Sequence, residues 1–68
     1  MNWRDYIEEN PRVMMGKPVF KGTRLTVEHV LQRLADGSPI PDLLDAHPNL
    51  KEEHIQAALC FAAERLRK

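Results

Sequence analysis

Lys17, Lys21 and Arg24 punctuate the stretch Gly16-Lys17-Pro18-Val19-Phe20-Lys21-Gly22-Thr23-Arg24-Leu25-Thr26-Val27, which also holds two glycines and two threonines and no acid. Cations set beside turn N–H groups are the chemistry of phosphate or carboxylate capture. An arginine fork suits either anion, because its planar donors match two acceptor oxygens at once. Arg12 lies just upstream, and no Asp or Glu occurs between residues 11 and 25. A structural reading stands beside this one. Gly22 supplies a turn conformation, and Thr23 and Arg24 tie that turn to the following helix, Arg24 through Asp36 or Asp45.

No other group of residues assembles into a reacting centre. His29, His47 and His54 lack the spacing of metal ligands on one helix face. Cys60, flanked by Leu59 and Phe61, reads as a small buried or half-buried side chain. Ser38 has no His and Asp arranged to activate it. The pairs Glu8-Glu9 and Glu52-Glu53 are adjacent in sequence, so their side chains diverge and cannot share acid–base work. Gly16 and Gly22 miss the spacings of nucleotide-phosphate loops. The expectation is a protein that is not an enzyme, with no metal, no cofactor and no small-molecule substrate.

The elements that must position the cations follow from periodicity. Trp3, Tyr6 and Ile7 sit at helical spacing and predict one helical turn before Asn10-Pro11. Val13-Met14-Met15 and Val19-Phe20 predict two short extended segments, a β-hairpin or arm, with Gly16 at a turn. Thr26 is a good helix N-cap. Val27, Val30, Leu31 and Leu34 then form one apolar stripe, and Gly37 stops the helix. A short helix from about Ile40 to Ala46 admits Pro41 in its first turn, places Asp42 at the positive end of the dipole and buries Leu43 and Leu44. The last helix starts near Glu52. Leu50 and Ile55 are spaced as a hydrophobic staple around Lys51, itself a poor cap. Ile55, Ala58, Leu59, Ala62, Ala63 and Leu66 make its wide apolar stripe.

The 68 residues make one domain: an N-terminal arm with a β element over 1–25, and a trihelical core over 26–68. A chain this short buries little of its surface and is marginal alone. One cysteine excludes an internal disulfide, which leaves a partner chain as the extra stabiliser. Trp3, Tyr6, Met14, Met15 and Phe20 are many large apolar side chains for this length. They either cap the core or, for some of them, form a contact surface, since aromatics and Met are enriched at interfaces. The expectation is a homodimer through the N-terminal β element. The single thiol and the absence of a secretory signal fit a cytoplasmic setting, and no apolar run spans a bilayer.

Net charge is zero, which argues against a general attraction to nucleic acid. The charge is segregated all the same. The 11–25 segment is basic, the 36–50 segment carries only Asp36, Asp42 and Asp45, and the tail ends Arg65-Leu66-Arg67-Lys68. A short helix leading by a turn into a longer one is the helix-turn-helix outline. Recognition helices read bases from their N-terminal residues, here Lys51, Glu52, Glu53, His54 and Gln56. Gln56 could read adenine, but two adjacent carboxylates repel phosphate. The basic N-terminal segment is the better surface for any DNA contact.

Over nearly its whole length the chain resembles the prokaryotic family called domain of unknown function 433. The residues that carry this are Asn10-Pro11, the Gly16–Val27 string, Leu34-Ala35-Asp36-Gly37, Leu43-Leu44, His47-Pro48-Asn49-Leu50 and Ile55-Gln56-Ala57-Ala58-Leu59. Met15 stands where many members have a glycine, and Lys51 replaces a frequent Thr or Ser. The resemblance implies a mainly α, homeodomain-like or winged-helix-like domain with a small β element. It also implies an antitoxin of a VapBC-like pair, neutralising a PIN-like ribonuclease and binding its own operator DNA. In such a role Arg24, or the tail residues Arg65, Arg67 and Lys68, would pair with the toxin's carboxylates. Two alternatives are a stand-alone DNA-binding regulator and a dimeric interaction module without DNA binding.

Overall fold

The structure is a computed structural model, and it describes residues 1–67. It is mainly α, with three helices and a two-stranded antiparallel ribbon. A 3₁₀ turn over Trp3–Asp5 leads into β1 (Ile7–Glu8), and a second over Met14–Gly16 precedes β2 (Val19–Phe20). The helices are α1 (Val27–Ala35), α2 (Ile40–Ala46) and α3 (Glu52–Leu66).

Each helix boundary has a local cause. The Thr26 hydroxyl accepts from the His29 N–H at 3.1 Å and satisfies one of the orphan donors of α1. The other end of α1 closes in a Schellman motif. Gly37, at φ +90°, donates to Leu34 O, and Ser38 donates to Arg33 O, both at 3.0 Å. Leu50 and Ile55 are both buried, as a staple at the start of α3 requires. Lys51 supplies no side-chain acceptor there. His54 takes over: its Nδ1 accepts from the Lys51 N–H at 3.0 Å.

The ribbon differs from its expected form. Ile7 belongs to β1 rather than to the helical turn, and pairs with Phe20, while Glu8 pairs with Val19. The expected strand at Val13-Met14-Met15 is a 3₁₀ turn instead. Met14 (φ +48°), Met15 (φ +58°) and Gly16 (φ +85°) are all left-handed, which no strand tolerates. Glycine accepts that conformation without cost, whereas the two methionines do not. On its far side β2 bonds the entry to α1, with Phe20 N donating to Leu25 O at 3.1 Å and Val27 N to Pro18 O at 2.9 Å.

The core joins all these elements except the 3₁₀ turn at Met14–Gly16, which buries no residue. Ile7, Val19 and Phe20 from the ribbon meet Val27 and Val30 of α1, Leu43 of α2, Leu50, and Ile55, Ala57, Ala58 and Phe61 of α3. Trp3 closes it, lying edge-on to Phe61 with ring centroids 4.8 Å apart. Its indole N–H donates to the Glu64 carboxylate at 2.8 Å. No polar or charged residue among those described is buried. The ring edges of Tyr6 and Phe20 both meet His54, at 5.2 and 5.7 Å. Trp3 and Phe20 are therefore core residues, and the expectation of a dimer contact does not hold for them. The pleat of the ribbon puts Phe20 on the same inward face as its cross-strand partner Ile7, whereas the 3₁₀ turn lays Trp3 against Phe61 of α3. Tyr6 is half-buried against the same core. Met14 and Met15 alone of the five are exposed.

Candidate functional site

The turn between β2 and α1 is closed by hydrogen bonds and carries two exposed cations, Lys21 and Arg24. It reverses the chain at Lys21-Gly22, where Gly22 has φ +77° with open space around its Cα. Backbone conformation, not crowding, requires glycine there. Thr23 locks the turn from inside. Its hydroxyl donates to Phe20 O at 2.8 Å and accepts from Leu25 N–H at 3.0 Å. Its own N–H also reaches Phe20 O at 3.0 Å, and Lys21 N–H reaches Tyr6 O at 2.9 Å. The Thr23 hydroxyl thus spends its donor and one of its two acceptor positions within the turn. It holds the loop from within, and it stays half-buried.

Lys21 and Arg24 flank Thr23 and point to solvent. Arg24 makes no ion pair with Asp36 or Asp45; among the described residues neither Lys21, Arg24 nor Arg12 has a carboxylate within 4.0 Å. Arg12 is exposed in an Asx turn, its N–H donating to Asn10 Oδ1 at 2.9 Å. Lys17 is different: its Nζ lies 3.4 Å from Glu28. That pair is solvent-exposed and leaves Lys17 available to a stronger anion. The C-terminal cations divide in the same way. Arg65 is bonded to Glu9 and sits 4.6 Å above the Phe61 ring, so it fastens α3 to the N-terminal segment. Arg67 is exposed with no carboxylate partner among the described residues. Lys68, named with the basic tail, lies outside the described residues. Gln56 is exposed in the first half of α3, beside Glu52 and Glu53.

Three features escaped sequence reasoning. Trp3, Arg4 and Glu64 form a clasp across the two ends of the chain, with the Arg4 guanidinium 4.4 Å over the indole and 3.5 Å from Glu64. The Trp3 indole donor, aided by the Arg4 charge, holds the Glu64 carboxyl below its ordinary value of 4.5. A sequence separation of 61 residues hides such a contact. His54 acts as a helix cap rather than a plain surface histidine. Arg33, with His29, Ser38, Asp42 and His47, lines a cleft of about 260 Å³ between α1 and α2. The largest cleft described, about 380 Å³, lies between Pro18, α1 and Phe61 and is mainly apolar. It gathers no set of converging polar groups. Among the described residues no three His, Cys, Asp or Glu side chains could hold a metal ion.

The arrangement is a small apolar core carrying exposed cations, several of them without a carboxylate partner among the described residues. The profile of the family described as "Protein of unknown function (DUF433)" matches residues 7–62, and the chain belongs to that family. It is also similar to the "Uncharacterized protein y4eO" of Sinorhizobium fredii, 34% identical over 59 residues. That match covers 87% of this chain and 27% of y4eO, so the chain spans about a quarter of the length of this relative. No solved structure matches it. No helix among the described residues is long and apolar enough to cross a membrane.

Proposed function

We propose that this chain is an antitoxin-like binding domain that neutralises a PIN-like ribonuclease in the cytoplasm, with the β2–α1 turn as its contact element. The observation that supports this is the pairing of rigidity with unsatisfied charge. Thr23 fixes the turn by two hydrogen bonds, and Lys21 and Arg24 leave it with no carboxylate partner. A nuclease of the PIN class works with clustered carboxylates that hold metal. A guanidinium and an ammonium inserted there would pair with those acids and compete with the metal. A rigid turn loses little conformational entropy on docking, which favours affinity.

The N-terminal half of α3 speaks against major-groove reading as the main activity. Glu52 and Glu53 stand exposed beside Gln56, and no cation pairs with them among the described residues. If operator DNA is also bound, Arg12, Lys17, Lys21 and Arg24 supply the phosphate contacts. Affinity for DNA then falls linearly with the logarithm of salt, with a slope of about −0.9 per phosphate neutralised.

The test is co-purification of the tagged chain with the product of its adjacent gene, followed by sizing and a ribonuclease assay. A stable complex with suppressed RNA cleavage is the expected outcome. A chain that takes no partner but binds its upstream DNA with a steep salt slope would replace this reading with that of a stand-alone regulator. A chain that does neither would leave an interaction module.

A further inference from the structure

We propose that a second copy of this chain packs on the outer face of α3, helix antiparallel to helix, through Leu59, Ala63 and Leu66. α3 has two apolar faces, and the core uses only one. Ile55, Ala58 and Phe61 point inward and are 2%, 0% and 7% exposed. Leu59 and Leu66 are 51% and 81% exposed, and Ala63 between them is exposed too. With Gln56 these residues fall at i, i+3, i+7 and i+10, the spacing of a helix-pairing seam. Ile40, 38% exposed, extends the patch at its N-terminal end. There Ile40, Pro41, Ile55 and Leu59 border a cleft of about 210 Å³, room for an incoming leucine.

Charge selects both the occupant and its direction. α3 begins with Glu52 and Glu53 and is followed by Arg67, all exposed and all without an ion-pair partner among the described residues. A parallel pair would set acids beside acids. An antiparallel pair sets Glu52 and Glu53 of each copy beside Arg67 of the other, and brings Leu66 of the second copy to the Ile40 cleft. The same patch serves both copies, as a two-fold interface demands. The helix is about 22 Å long at 1.5 Å per residue. The two-fold axis then crosses it near its middle, at Leu59 and Cys60. Cys60 is exposed and unpaired. This surface lies apart from the cationic turn and does not depend on the ribonuclease partner.

Sedimentation equilibrium of the full chain from 10 to 500 μM is the test, on the wild type, Leu59→Glu and a charge-reversed pair, Glu53→Arg with Arg67→Glu. The wild type is expected to dimerise. Leu59→Glu is expected to raise the dimer dissociation constant at least tenfold with an unchanged circular dichroism spectrum, since Leu59 is half exposed and outside the core. Each single reversal is expected to weaken the dimer and the double reversal to restore it. A short bismaleimide is expected to link Cys60 to Cys60 in the wild type and not in Leu59→Glu. A wild type that stays monomeric at 500 μM overturns the proposal. So does a dimer that Leu59→Glu leaves intact, which would place the interface elsewhere. If the chain is monomeric but Leu59→Glu abolishes a complex with another protein, α3 is a heterologous contact and the second copy is excluded.

Discussion

Replacing Thr23 by valine separates the scaffold of the cationic turn from its contacts. Valine keeps the shape of threonine and removes only the hydroxyl. That hydroxyl makes two hydrogen bonds, at 2.8 Å to Phe20 O and at 3.0 Å from Leu25 N–H. Phe20 O keeps a second donor in the Thr23 N–H, so its loss is modest, about 0.5–1 kcal/mol. Leu25 N–H has no other acceptor and is half-buried, which costs about 1–2 kcal/mol. The sum is about 2 kcal/mol, against a total stability of roughly 3–10 kcal/mol for a domain of this size. Thermal denaturation followed by circular dichroism should show the melting temperature falling by roughly 8–16 °C. Thr23→Ser, which retains the hydroxyl, should lose less than half as much. Arg24→Ala should leave the midpoint nearly unchanged, within about 0.5 kcal/mol, because its exposed side chain makes no bond in the chain. Amide exchange at Leu25 should accelerate in the valine variant and not in the alanine one. Equal midpoints for Thr23→Val and Thr23→Ser would refute the assignment of the hydroxyl as the lock of the turn.

Four other outcomes follow from particular residues. Met15→Gly should stabilise the chain by about 0.5–1 kcal/mol in the same melt, because Met15 is 94% exposed at φ +58° and gives up left-handed strain but no packing; a lower midpoint would contradict this. Lys51→Ser should raise stability by about 1 kcal/mol by adding the missing oxygen cap to α3, whereas His54→Ala should lower it through loss of both the reciprocal cap and the aromatic contacts. Glu64 is held below 4.5 in the folded chain by the Trp3 donor and Arg4. Its contribution is therefore complete above the unfolded value and is lost as pH falls through the lower folded value. Glu64→Gln should flatten the acid limb of the stability curve below pH 4.5, read by Trp3 fluorescence; an identical acid limb in both proteins would remove the clasp as its cause.

The helices were legible because each carries its own punctuation. Thr26, Gly37, Pro41 and the Leu50–Ile55 staple act within a few residues, and the structure places α1, α2 and α3 where those signals put them. The ribbon was harder to read. Strand pairing is set by which distant segment fits, and Ile7-Glu8 gave no alternation long enough to compete with the helical spacing of Trp3, Tyr6 and Ile7. Val13-Met14-Met15 looked extended by composition, yet a left-handed run is a backbone property that methionine does not announce. The cationic turn was visible as a string, but whether Arg24 met Asp36 or Asp45 was a three-dimensional question. Thr23 and Arg24 proved to divide the labour, one bonded inward and one facing out. The Trp3–Glu64 bond and the burial of Trp3 and Phe20 depend on the two ends of the chain meeting, which no local pattern encodes.

The proposed binding role is tested most directly by assaying a PIN-like ribonuclease for inhibition by the wild type and by Lys21→Glu with Arg24→Glu. Both positions are exposed and unpaired, so the variant is expected to melt as the wild type does while its inhibition falls at least tenfold. Undiminished inhibition by a folded double variant would contradict the assignment of the β2–α1 turn as the contact that neutralises the partner.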